Sequence, residues 1–124
     1  MDTFEYALLR VVPDIERGEL VNVGVLLYCR HREQLAVRTD LDVDRVRALA
    51  PGTDLDALRD ALGAWERAVG GEGPAAVLNP GERFRWLTAP RSTVLQPGPV
   101  HTGLTADPEA EIERLLARLV RPVS

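Results

Sequence analysis

The segment Leu20–Arg30 (LVNVGVLLYCR) constrains this chain more than any other. Val21, Val23, Val25, Leu27 and Cys29 alternate with Asn22, Gly24, Leu26 and Tyr28. That is the period-two pattern of a strand, and it predicts one continuous apolar face of odd-numbered side chains and a mixed face opposite. Upstream, Thr3–Val12 (TFEYALLRVV) lacks a helical stripe and runs into Pro13-Asp14, so it reads as a second strand. Its connection, Pro13–Glu19, is polar and offers Gly18 for a positive φ. Downstream, His31-Arg32-Glu33-Gln34 turns into a third strand running from Leu35 to Arg38 or Thr39. Three strands with short connections predict an antiparallel meander.

Helical signals come next. A first helix is expected from about Asp44 to Ala50, capped by Asp42 and stopped by Pro51-Gly52. A second runs from about Asp54 to Val69, with Leu55, Leu58, Leu62, Trp65 and Val69 on one stripe and Gly70-Gly71 at its end. Glu72–Gly81 has turn chemistry. Arg83–Leu87 (RFRWL) alternates basic and apolar residues and reads as a half-buried strand. Around Pro97-Gly98-Pro99 the stretch Arg91–Gly103 has room for one or two edge strands, where prolines are tolerated. Asp107-Pro108 opens a last helix over residues 108–120, acidic early and basic late, with Ile112, Leu115, Leu116, Leu119 and Val120 as its apolar stripe. The expected architecture is a single α+β domain spanning residues 1–124. In it an antiparallel β-sheet, made of the N-terminal three-stranded meander plus C-terminal edge strands, packs against two main α-helices at 54–69 and 108–120.

Composition narrows the functional classes. The chain has 124 residues, 45% of them apolar, which suits one domain with a real core. No window approaches the roughly 18 uninterrupted apolar residues of a membrane helix. The formal net charge of −4 points away from nucleic acid bound through bulk electrostatics. All 15 basic residues counted as Lys or Arg are arginine. With Ala, Gly, Pro and Val abundant, that bias reflects GC-rich coding and carries no functional signal. A lone cysteine, Cys29, forms no internal disulfide and fits a reducing compartment, and the acidic N-terminal residues differ from a basic signal peptide. A cytoplasmic location is the expectation.

Catalytic and metal signatures are sparse. His31 and His101 have no ligand partner at a standard spacing, and no phosphate-loop or nucleophile-elbow motif occurs. Asp40-Leu41-Asp42-Val43-Asp44 begins like a calcium loop but lacks the glycine and distal glutamate, so helix capping explains it. Neither metal nor cofactor is expected, and an enzyme is the least favoured class. Two polar groups remain as ligand or partner contacts. The first is Arg10, Glu16, Arg17, Glu19 and Asn22 around the first hairpin, beside Gly24. It reads either as a small anionic-ligand or partner site, or as structure, with Arg10 paired to Glu19 and Asn22 satisfying backbone groups of the connection. The second is Arg83, Arg85 and Arg91. It reads as a phosphate grip or as a solvated edge whose strand hides Phe84 and Trp86 on its other face.

Several words of the chain resemble a known family. Tyr6-x-x-x-Arg10, Pro13-Asp14 and Gly18-Glu19-Leu20-Val21-Asn22-Val23-Gly24-Val25 lead, followed by Arg38-Thr39-Asp40, Arg83-Phe84, Pro90-Arg91 and Gly103-Leu104-Thr105. Together they are similar to the bacterial domain of unknown function 3037. The resemblance spans nearly the whole chain and implies no established activity. It does imply a genomic neighbour, a HipA-like kinase, and hence an accessory protein for a larger partner. A homo-oligomer stays open, and so does the alternative of a small-ligand or phosphate-binding domain.

Overall fold

The computed structural model describes every residue except Ser92 and Ser124. The meander forms as expected: β1 (Asp2–Val11), β2 (Val21–Cys29) and β3 (Gln34–Thr39) pair antiparallel in sequence. Gly18 adopts φ 68° in the first connection, the left-handed conformation that glycine takes without steric cost. Two short edge strands, β4 (Leu95–Pro97) and β5 (His101–Thr105), both pair with the free side of β1. They act as one broken strand, interrupted at Gly98–Val100, so Pro97 sits where a missing N–H does least harm.

Helices cover both faces of this sheet. Between β3 and β4 come α1 (Val43–Leu49), α2 (Leu55–Val69) and α3 (Pro80–Leu87), and α4 (Pro108–Leu115) follows β5 and ends in a π-helical turn over Leu116–Val120. Carboxylates cap three of these helices: Asp42, Asp54 and Asp107 each accept a first-turn N–H. On one face Leu9, Val11, Val21, Val23, Leu26 and Tyr28 meet Leu58, Leu62 and Trp65 of α2 and Phe84 and Leu87 of α3. On the other, Phe4, Val25, Leu27 and Cys29 meet Ile112, Leu115, Leu116 and Val120.

The odd-numbered residues of β2 therefore do not share a face, contrary to strict alternation. Leu9 pairs with Gly24 while Arg10 pairs with Asn22, which leaves Val23 as an extra residue in a β-bulge. Such an insertion shifts the side-chain phase by one. Val21 and Val23 consequently join the α2 side, and Val25, Leu27 and Cys29 join the α4 side. Leu26 and Tyr28, read from sequence as part of a mixed face, are buried. Glycine suits the slip, because a Cβ at Gly24 would crowd the Arg38 carbonyl at 3.0 Å and Thr39 Cγ2 at 3.2 Å.

A second correction concerns Arg83–Leu87, which is helical and not a strand. Its start is encoded upstream. The Asn79 side chain accepts from the Glu82 N–H at 2.9 Å, and Glu82 accepts from the Asn79 N–H at 3.0 Å. Pro80 occupies the first turn, completing a capping box with a favoured first residue. Phe84 and Leu87, three apart, then point into the core, and Trp86 stays 43% exposed. Asn79→Ala should cost about 1 kcal/mol. Phe84→Ala should cost about 3–5 kcal/mol. Trp86→Ala should cost far less than Phe84→Ala. Urea unfolding of the three variants checks the order; equal losses at 84 and 86 would restore the strand.

Candidate functional site

The first polar group splits in two. Arg10 and Asn22 are cross-strand partners just beyond the bulge, on the face that α4 covers. Asn22 donates through Nδ2 to the Leu119 carbonyl at 3.2 Å, so it satisfies a backbone group of the C-terminal turn and not of the hairpin connection. Arg10 lies against Gly98, whose missing side chain leaves the space that the guanidinium fills. Arg17 and Glu19 stay together in the loop, Arg17 Nε donating to Glu19 Oε1 at 2.5 Å. This bond and the adjoining carboxylate charge hold the Arg17 guanidinium above its ordinary pKa. Glu19 thus pairs with Arg17, where the structural reading of the sequence pairs it with Arg10.

The second group is arranged around α3, on the opposite face of the sheet. Arg83 donates from Nε to the Ala75 carbonyl at 3.0 Å, tying the helix to the 3₁₀ turn over Gly73–Val77. Arg85 grips both carboxylate oxygens of Glu5 at 2.8 and 2.9 Å, a fork-to-fork pair that raises its pKa. Arg91 donates to the Trp86 carbonyl at 2.7 Å, and its guanidinium carbon lies 5.0 Å from the Trp65 ring centre and 5.5 Å from that of Trp86. The three arginines point to three different partners and do not converge on one anion.

One turn of α2 before Trp65, which Arg91 covers, lies a groove with no counterpart in the sequence patterns. The groove, of about 390 Å³, runs between α2 and the segment that leads into β4, with Pro13, Pro51, Ala57, Leu58, Ala61 and Val94 among its walls. Its polar side chains are engaged locally: Thr53 donates to the Ala50 carbonyl at 2.8 Å and Asp54 accepts the Ala57 N–H at 3.0 Å. What remains open is apolar. Ala57, Ala61 and Trp65 follow one another at four-residue spacing along α2, so the groove leads toward the Trp65–Arg91–Trp86 stack. The sequence signal was there in the two alanines beside the leucine stripe, but nothing marked Val94 as their neighbour across the groove.

Among the described residues no group of three His, Cys, Asp or Glu side chains is placed to hold a metal ion, and no helix is long and apolar enough to cross a membrane. The family described as Protein of unknown function (DUF3037) matches residues 6–120. The chain belongs to that family. Comparison with curated proteins and with solved structures returns no match.

Two glycines of this DUF3037 protein, Gly98 and Gly103, face unlike neighbours. A Cβ at Gly98 meets only the flexible end of Arg10, whereas one at Gly103 falls 2.7 Å from Phe4 Cζ in a buried ring. Gly98→Ala should leave stability nearly unchanged while moving Arg10. Gly103→Ala should cost about 1–3 kcal/mol as the ring is forced aside. Thermal unfolding and the Arg10 Nε resonance read the two effects.

Proposed function

We propose that this DUF3037 protein is a non-catalytic docking protein. In this reading the groove along α2 receives an apolar segment of a larger protein, and Arg91 meets a carboxylate on that segment. The groove itself carries the reading. It presents apolar walls on a surface where most side chains are polar, and exposed apolar patches of this kind mark binding sites. Trp65, one turn beyond Ala61, and the Arg91 and Trp86 stacked on it are residue types that concentrate binding energy at protein interfaces.

Charge complementarity supports the acidic occupant. Arg91 is held by two rings and one carbonyl, and it has no carboxylate partner among the described residues. A guanidinium fixed on indole faces is already ordered, so an arriving carboxylate loses little of its binding energy to freezing that side chain. The partner to test is the HipA-like kinase that the family resemblance implies.

Co-expression of the two chains, with solution mass and titration calorimetry, tests this. The wild type should form a stable complex. Ala57→Arg, at an exposed helical position inside the groove, and Trp86→Ala should each weaken it by about tenfold or more. A kinase that fails to associate is not the partner, and unchanged affinity in both variants removes the groove as the docking site.

A further inference from the structure

We propose a second, separate site: a small carboxylate-binding cleft at the start of α3, built on the Tyr28 hydroxyl. Tyr28 is only 8% exposed, its ring packed on Phe84 with ring centres 5.4 Å apart. No fully enclosed side-chain oxygen or nitrogen lacks a partner among the described residues, yet the Tyr28 hydroxyl bonds to none of them. It therefore opens into a cleft of about 450 Å³ lined by Tyr28, Arg30, Asn79, Gly81, Glu82 and Arg85. Buried tyrosines bring their hydroxyl to a partner as a rule, and this one turns its hydroxyl to the cleft.

The donors around that oxygen are of one kind. Gly81 is the second residue of α3, in the first turn, where backbone N–H groups have no intrahelical acceptor. Asn79 satisfies the Glu82 N–H, and the Arg83 N–H reaches the Asn79 carbonyl at 2.9 Å, which leaves the Gly81 N–H as the first-turn donor without a partner among the described residues. Gly81 has to be glycine, because a Cβ would lie 2.7 Å from the Tyr28 oxygen. Arg30 is exposed and has no ion pair among the described residues, while Arg85 is held at the rim by Glu5. A phenol, a helix-start N–H and a free guanidinium together offer three hydrogen bonds to one oxyanion.

The acidic neighbours decide its charge. Glu82 lines the same cleft, Glu33 lines the adjoining recess, and Glu5 stands opposite Tyr28 across the strands. Glu5 is neutralised by Arg85, but Glu82 and Glu33 repel added negative charge, so a single charge is favoured over a double one. A carboxylate satisfies this, and a phosphate dianion does not.

Acetate titrated at constant ionic strength against chloride, followed by the Gly81 amide and Tyr28 ring resonances, is the test. A saturable shift is expected in the wild type. It should weaken at least fivefold in Tyr28→Phe, which keeps the ring packing and removes only the hydroxyl, and likewise in Arg30→Gln. Groove variants such as Ala57→Arg should not alter it, which separates this site from the docking reading. Absence of a saturable shift, or an equal one in Tyr28→Phe, overturns the proposal. Tighter binding of inorganic phosphate overturns the assignment to a carboxylate.

Discussion

The bulge at Val23-Gly24, opposite Leu9, governs the rest of this structure. A strand that alternated without interruption would send every odd-numbered side chain of β2 to one helix layer. Inserting one residue divides the same valines between two layers, and with both phases apolar β2 is a central strand buried on both faces along its length. α2 and α3 can then pack on one side and α4 on the other. A domain of this size gains from two covered faces, since small chains bury a limited share of their surface. The slip also sets Arg10 and Asn22 beside the end of α4 and turns Tyr28 toward α3.

Arginine fastens the outer layer to the sheet. Arg38 on β3 reaches Glu109 at 2.8 Å and Glu113 at 3.1 Å, Arg121 reaches Asp40 at 3.0 Å, and Arg45 of α1 donates to the Val120 carbonyl at 2.8 Å. Arg32 bonds Asp2 and the Ala106 carbonyl, each at 2.7 Å, and holds the Asp2 carboxyl below its ordinary pKa. Individually such exposed pairs contribute little. Their shared task is to orient α4 across β2 and β3, while the apolar stripe of α4 supplies the attraction. The abundance of arginine thus has a structural use that needs no anionic ligand.

Most of the fold was legible because local signals agreed with tertiary ones. The meander, the proline-bearing edge strands, α2 and the last helix all follow from period, caps and breakers. Two features were misread for different physical reasons. The bulge at Gly24 is invisible to a period count, since both phases of β2 are apolar and either satisfies the pattern. The helix at Arg83–Leu87 was visible in Asn79-Pro80-Gly81-Glu82, but five alternating residues outweighed the cap that precedes them. The candidate sites were less legible still. Arg10 and Asn22 do meet, as their strand pairing allows, while Arg17 with Glu19, and the arginines around α3, go elsewhere. The groove joins α2 to the approach of β4, and the Tyr28 cleft joins β2 to α3, and no sequence pattern records either contact.

β2 changes face where the bulge lies, and methyl NOE spectroscopy tests that change directly. The Val23 methyls should show contacts to the α2 and α3 core that contains Leu58 and Trp65, and the Val25 methyls to the α4 core that contains Ile112 and Leu115. Val23 and Val25 methyls reporting the same helix layer would contradict this, because the strand would then alternate without a slip.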